Sequence, residues 1–483
     1  MPAIRTVVLI GCAALGMLGC LAGCLVGPNY KGPPAATADS PAAFRRVGAG
    51  VDATEPVARW WTSLNDAELD RLIETSLVES PSVAAAQARL RQARASLKEQ
   101  RANELPTTGA SAAYVGTRNI TSLLSNSGSG SSGGGSVLSL YALGFDASWE
   151  IDFFGARARA VEGAAAAAQA SQASLADVRV TLSAEVADAY IQLRDAQQRL
   201  ALTQRNIDIE ARILELLEIR RTGGTASTLD VERLTNQLDT TRATLSALRA
   251  SVAQQLNRLA ILTARAPGAL DDELAAVVAA PAPPASVAIG DPSALLRRRP
   301  DVVVAERRLA QQTASVGQNV AALFPKVSLL GDVGFASLSA RTLFNGSHFT
   351  YVVAPILQWN PLDFGRNRAR IAQAEAGRDE AEADYRRTVL EALEDAETSL
   401  ARYGQQRNAV TDLGRAKESA ERVYALTEIR LHGGTAATTD VLDADTRRVQ
   451  AELSYEQALA QLSQYYVALQ KSLGLGWVEP GAS

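Results

Sequence analysis

The stretch Glu218-Ile219-Arg220-Arg221-Thr222-Gly223-Gly224-Thr225-Ala226-Ser227-Thr228-Leu229-Asp230-Val231 returns 210 residues later as Glu428-Ile429-Arg430-Leu431-His432-Gly433-Gly434-Thr435-Ala436-Ala437-Thr438-Thr439-Asp440-Val441, identical at most positions. Each copy lies between two long, Ala-rich, Gly-poor segments, so each Gly-Gly predicts the turn of a helical hairpin. Glycine takes the left-handed conformation that ends a helix, and Thr or Asp beyond it caps the next one. A chain that carries this unit twice is constrained to a duplicated architecture. With 5% aromatics and 18 prolines in 483 residues, the composition suits extended helices better than two or three compact globules.

Several function classes fall away early. The net charge of −4, with both signs interspersed, gives no basis for nucleic-acid binding. The three cysteines, Cys12, Cys20 and Cys24, all lie at the N-terminus, so the body has neither a disulfide framework nor a cysteine metal site. The two histidines, His348 and His432, fall in different elements. No P-loop or His-Glu-x-x-His occurs, and no carboxylate pair stands out from helix-surface charge. The expectation is a non-enzyme, without catalytic residues, metal or cofactor.

The N-terminus reads as an address. Arg5 precedes a short apolar run, Val7 to Leu18, followed by Leu21-Ala22-Gly23-Cys24. The run is short for a membrane span and fits a signal peptide, residues 1–23. Leu-Ala-Gly-Cys resembles the bacterial lipoprotein box, which makes Cys24 the expected acylation (palmitate) site. Leu25, where lipoprotein sorting rules place an aspartate for inner-membrane retention, points to the outer membrane.

Along the body, residues 25–65 predict an extended Pro/Gly/Ala arm without a core of its own, and Asp66 caps a short helix. Pro81-Ser82-Val83 to Pro106 parallels Pro300-Asp301-Val302 to Pro325 at an offset of 219, with Ser82 and Asp301 as expected N-caps. Trp149 and Trp359 are back at 210, so the second copy lacks nine residues, and the Ser/Gly run 125–136 of the first copy accounts for them. Here the periodicity becomes two. Tyr141, Leu143, Phe145, Ala147, Trp149 and Ile151 alternate with small or acidic residues, and Phe349, Tyr351, Val353, Leu357 and Trp359 line one face of a second return strand. Such strands, near ten residues with terminal Trp and Tyr, fit a soluble sheet with one wet face or a membrane barrel. The helices that follow run about 65 residues, roughly 100 Å at 1.5 Å per residue. The return arms keep heptad spacing, from Val231 to Leu262 and from Val441 to Leu469, with Arg448 a break in the second. Each copy thus reads helix, strand, strand, long helix, helix. Four strands per chain cannot close a lipid-facing barrel, because an open edge in a bilayer leaves backbone groups unpaired, so chains must associate if the strands lie in the membrane.

The lipoprotein box, Val26-Gly27-Pro28-Asn29-Tyr30 after the cysteine, the duplicated hairpins, and Gly433-Gly434-Thr435 followed by Asp440-Val441-Leu442-Asp443-Ala444 together resemble the TolC/OprM outer membrane factors. Leu296-Arg297-Arg298-Arg299-Pro300-Asp301 is especially like the lipoprotein NodT branch. The resemblance implies a mixed α/β, mostly α, membrane protein: a homotrimer whose 12-stranded β-barrel in outer membrane lipid continues into a 12-helix periplasmic α-barrel. It implies a passive exit duct of a tripartite efflux system, docked to a periplasmic adaptor and an inner-membrane pump of the RND type. The expected division is a lipidated arm and equatorial segment (24–65), a first repeat (66–265; strands about 107–118 and 140–152, tip 222–229), an equatorial linker (266–292), a second repeat (293–473; strands about 326–337 and 349–360, tip 432–439) and a tail (474–483).

By the same resemblance Asp440 and Asp443, with Asp230 as the first-copy equivalent, match acidic positions at a tunnel aperture; the competing reading of Asp440 is a helix-start charge. The position that carries a tip-locking arginine in some relatives is Ala436. Gly223, Gly224, Thr225, Gly433, Gly434 and Thr435 would form the turns and the adaptor-docking surface. Trp149, Tyr351 and Trp359 would anchor at the membrane interface. A periplasmic structural or adaptor coiled-coil lipoprotein is the alternative, against which the duplicated strand pairs weigh.

Overall fold

The computed structural model describes residues 25–34, 43–48, 50–118 and 137–477; Cys24 with the leader before it, and the 125–136 run, lie outside the described residues. In chain order the elements are β1 (Val51–Asp52), a 3-10 turn (Trp60–Leu64), α1 (Ala67–Glu79), α2 (Pro81–Ala102), β2 (Thr107–Arg118), β3 (Val137–Ile151), α3 (Ala156–Thr222) and α4 (Thr228–Leu262). The second half contributes β4 (Val287–Ala288), α5 (Pro292–Arg298), α6 (Pro300–Ala321), β5 (Lys326–Ser337), β6 (Phe349–Gln358), α7 (Arg366–His432) and α8 (Thr438–Ser472). The duplication is metrical: α3 and α7 have 67 residues each, α4 and α8 35, α2 and α6 22, and β2 and β5 12.

Two helix starts differ from the sequence expectation. Helices α2 and α6 begin on Pro81 and Pro300, not after Ser82 and Asp301. Proline has no N–H to leave unpaired in a first turn, so it displaces the cap by one or more residues. Ser80 instead precedes α2, its Oγ accepting from the Ser82 N–H at 3.4 Å. Asp301 sits inside the first turn of α6 and binds the Arg299 guanidinium at 2.6 and 3.0 Å.

The chain forms two compact units. The first, residues 1–34, 91–170 and 306–383, contains the four-stranded antiparallel sheet in the order β2-β3-β5-β6. Its N-terminal ribbon is clamped from below. Arg159, 1% exposed, donates to the carbonyls of Val26 and Gly27 (both 3.3 Å) and to Asn29 Oδ1 (2.6 Å), and pairs with Glu162 at 2.7 Å. Gly27 has φ +84 and lies so close to Gly317 that a Cβ would stand 2.6 Å from its Cα, so no other residue fits there. Tyr30 donates to Glu306 at 3.0 Å. Phe154 stacks on Phe324 with ring centroids 4.6 Å apart.

The second unit, residues 35–90, 171–305 and 384–483, holds both helical hairpins and the main core. The arm has no separate core, but its apolar side chains join the main one. Phe44, Trp60, Trp61 and Leu64 are buried in that core beside long-helix residues such as Tyr190, Tyr403 and Tyr466. Trp60 meets Trp61 and Tyr466 edge-on at 5.8 and 5.9 Å. The Tyr466 hydroxyl bonds Ser63 Oγ at 2.6 Å, and burial pushes its pKa up to about 12, so it remains a neutral partner. β1 pairs in parallel with β4, and Gly476 N–H donates to the Ala58 carbonyl, so arm, linker and tail meet. Long-helix side chains satisfy the irregular backbone between them: Arg194 donates to Ala276 O at 2.7 Å, Gln197 to Leu274 O at 2.7 Å, and Ser463 to Pro281 O at 2.7 Å. Arg298 and Arg299 donate to the Leu473 and Ser472 carbonyls at the end of α8 (3.2 and 3.0 Å), where cations are favoured.

Leu259 of α4 is fully buried in this core. Leu259→Ala is expected to cost about 2–5 kcal/mol through lost transfer energy and a residual cavity. A thermal melt of the detergent-purified protein followed by helical circular dichroism would register it as a lowered midpoint.

Candidate functional site: the sheet and the hairpin tips

The sheet has two different faces. Registers Phe145↔Val333↔Tyr351 and Leu143↔Phe335↔Phe349 place aromatic and aliphatic side chains in rows across one face. The opposite face carries Ala142, Gly144, Asp146, Ser148 and Glu150 of β3 beside Ala336, Gly334, Asp332, Leu330 and Ser328 of β5. The apolar rows are exposed in the single chain: Phe145, Val333, Tyr351, Val353 and Leu357 all stand open. Asp146 lies directly across from Asp332, while Glu150 is paired with Arg157 at 2.9 Å. The outer edges of β2 and β6 have no partner strand among the described residues.

The two tryptophans of the strand ends do equivalent work. Trp149 Nε1 donates to the Glu104 carbonyl at 2.9 Å, and Trp359 Nε1 to the Leu323 carbonyl at 3.1 Å. Each therefore ties the return strand to the chain just before the outgoing strand, with a satisfied N–H and an apolar ring at the sheet's end. Trp359 lies one residue past β6, and Tyr351 is within it.

Both tips, in the second unit, use one device. Thr225 and Thr435 each donate twice to the carbonyl five residues back, through the N–H at 2.8 Å and through Oγ1 at 3.1 Å, to Arg220 and Arg430 respectively. Of each glycine pair only the second is left-handed: Gly224 has φ +75 and Gly434 φ +68. The first copy then closes α4 with a reciprocal capping box. Ser227 Oγ accepts from the Asp230 N–H at 3.2 Å, and Asp230 Oδ2 accepts from the Ser227 N–H at 3.3 Å and its hydroxyl at 2.7 Å. Ser227 was not among the residues the sequence reading singled out, although Ser-x-x-Asp before an apolar run is the legible signal. The Ser227 hydroxyl, then the Ser227 N–H, hold the Asp230 carboxyl below the usual carboxylate range. In the second copy Ala437 has no hydroxyl, yet Asp440 Oδ2 still accepts from its N–H at 2.8 Å. Asp443, one turn on, is exposed and forms an i,i+4 pair with Arg447 at 3.2 Å. Asp230 and Asp440 are thus helix-start carboxylates by geometry, and Asp443 is the freer of the acidic tip residues. Among the described residues, no three His, Cys, Asp or Glu side chains converge as metal ligands.

A duplicated strand-pair and long-hairpin chain, with an apolar sheet face and paired tips, defines a subunit of an outer membrane channel. The chain belongs to the outer membrane efflux protein family, whose sequence profile matches residues 72–265 and 292–475. It is 31% identical to the outer membrane protein OprJ of Pseudomonas aeruginosa over 97% of this chain and 96% of the relative. It is 28% identical to nodulation protein T of Rhizobium leguminosarum bv. trifolii over 95% of each. Among solved structures, the outer-membrane channel OprN matches with a TM-score of 0.84 at 33% identity, covering 94% of this chain and all of that one. The Neisseria gonorrhoeae outer membrane channel MtrE, in its open state, matches at 0.77 and 25% identity over 94% and 98%. The protein resides in the outer membrane and serves efflux; its relatives are channels, which points away from an enzyme.

The capping box predicts a pH signature at the first tip. A carboxyl with a depressed folded pKa stabilises the helix start above its unfolded value and loses that contribution as pH falls through the folded one. Ser227→Ala is expected to move the Asp230 titration upward toward the ordinary carboxylate range and to speed amide exchange over residues 228–231. Side-chain carboxyl NMR of a labelled sample would follow the titration, and backbone amide exchange would follow the helix start.

Proposed function

We propose that the protein is the exit duct of a tripartite efflux system: a homotrimer, anchored through acylated Cys24, that opens at its helical tips and docks a periplasmic adaptor and an inner-membrane RND-type pump. The observation that carries the reading is the open sheet. An apolar-faced, four-stranded sheet with two unpaired edges cannot stand in lipid. Within the chain, β3 of the first repeat pairs with β5 of the second, Trp149 opposite Leu329. Applying the repeat offsets of 210 and 219 to that pair sets Trp359 opposite Ala110 of the next copy, and Leu357 opposite Ala112 of the next copy. The same operation carries the Phe154–Phe324 stack to Phe364 against Leu105 of the next copy. Phe364 is 97% exposed and Leu105 64% exposed in the single chain. Three copies joined in this way make twelve strands with no edge left over.

At the tips, Gly223, Gly224, Thr225, Gly433, Gly434 and Thr435 form compact turns suited to receive an adaptor hairpin, with Ile219 and Ile429 exposed beside them. Asp440 and Asp443 from three chains would ring the aperture and favour cations through their summed field. Trp149, Tyr351 and Trp359 would sit at the level of the lipid headgroups. OprJ and the channel proteins above are outer membrane components by their own names, which supports the same placement here.

Two measurements test this reading. Oxidising a Leu357→Cys/Ala112→Cys protein is expected to give covalent dimers and trimers on denaturing gels, whereas Leu357→Cys/Ala113→Cys, one residue out of register, gives monomers. Monomers from both would refute the trimeric sheet. In planar bilayers, the wild-type protein is expected to pass a small cation-selective current, and Asp440→Ala/Asp443→Ala to pass a larger, less selective one. An unchanged current would move the constriction away from these carboxylates.

A further inference from the structure

Helix α1 turns Leu69, Leu72, Ile73 and Ser76 into the main core, at the spacing of one helical face. Leu77 and Val78 fall outside that stripe, and Val78 is 81% exposed. The two line a cavity of about 430 Å³ whose other apolar walls are Trp61 and Trp477. The chain after α8 is fixed at this point. Gly476, with φ +119, lies so close to α3 that a Cβ would stand 2.5 Å from Ser183 Oγ. Its N–H donates to the Ala58 carbonyl at 3.0 Å, so Trp477 is held as a wall. The charged side chains of the cavity are Arg59, Glu74 and Arg179. Arg59 is paired with Glu74. Arg179 of α3, half-buried, has no hydrogen bond or ion pair among the described residues. The buried indole N–H groups of Trp61 and Trp477 have no acceptor among them either. Every side-chain polar group that the cavity leaves without a partner is therefore a donor, in a site that is otherwise apolar.

We propose that this cavity binds a small amphipathic organic acid, a molecule with a flat apolar body of roughly ten heavy atoms and one carboxylate. The body lies against Trp61, Leu77, Val78 and Trp477. The carboxylate pairs with Arg179, whose planar guanidinium matches two carboxylate oxygens. Each part needs the other. An inorganic anion leaves the apolar walls wet, and a neutral apolar molecule leaves the half-buried cation without a counter-ion. A cationic amphiphile is repelled, because Arg59 already neutralises Glu74 and one positive charge remains. The walls come from α1 and α3 of the first repeat and from the chain that follows α8 of the second, so a bound acid bridges the two repeats. The site uses no residue of the tips or of the sheet, so it stands or falls separately from the channel reading.

Titration calorimetry of the purified protein in lipid nanodiscs, with 2-naphthoate as the probe, tests the site. One molecule is expected to bind per chain with a Kd of about 0.1 mM. The uncharged 2-naphthamide, with the same body, is expected to bind about tenfold more weakly or not at all. Arg179→Met, at a side chain with no bond to lose, is expected to cost about tenfold in naphthoate affinity. Val78 is exposed and tolerates charge, so it supplies a second, opposed pair of variants. Val78→Glu is expected to weaken naphthoate about tenfold, and Val78→Lys to keep or tighten it. No binding of naphthoate at about 1 mM overturns the proposal. So does equal binding of the amide, or an affinity that ignores all three substitutions. Binding that appears only after residues 478–483 are deleted would give the cavity to the chain's own tail, and overturns it as well.

Discussion

Every strand of the first unit must find a partner for its backbone, and among the described residues only β3 and β5 do so on both sides. That constraint governs the rest. The apolar rows ending in Tyr351 and Leu357 are tolerable only against lipid, and lipid offers no hydrogen bonds to an unpaired edge. The metrical repeat supplies the remedy, because the contact already made between the first and second repeats can be made again between one chain and the next. The exposed Phe364 and Leu105 are where the Phe154–Phe324 stack would recur.

The second unit meets the opposite problem. Its helices satisfy their own backbone, so what must be held are the irregular segments that cross between them. Arg194, Gln197, Ser463, Arg298 and Arg299 reach from helices or turns to otherwise unpaired carbonyls. These polar side chains carry donors to backbone carbonyls that no helix or sheet pairs. The outcome is a belt that draws arm, linker and tail together while leaving the helical tips to depend on local contacts alone.

Much of the fold was legible because it rests on local rules. Period-two alternation from Tyr141 to Ile151, the Gly-Gly turns, and the strict 210-residue echo each need only a few neighbouring residues to be read. The sequence also pointed to Asp230 and Asp440, but it could not choose between a pore charge and a helix start; the hydrogen bonds to Ser227 and Ala437 supply the latter role. Ser82 and Asp301 were misplaced as caps because the proline rule and the cap rule compete at the same turn, and proline took the first helical position.

By itself the sequence determined the duplicated order of helices and strands, the alternation that makes one sheet face apolar, and the turn chemistry of both tips, since these follow from backbone preference and spacing. Only the tertiary structure decided that the Pro/Gly arm carries Trp60 and Trp61 into the core, that Arg159 seats the N-terminal ribbon, and that Arg448 is a seam residue lying over Tyr424 and not a mere break in a heptad. Those contacts join residues far apart in the chain, or on facing helices, whose pairing depends on packing and charge rather than on spacing. No local pattern encodes which partner a buried cation will find.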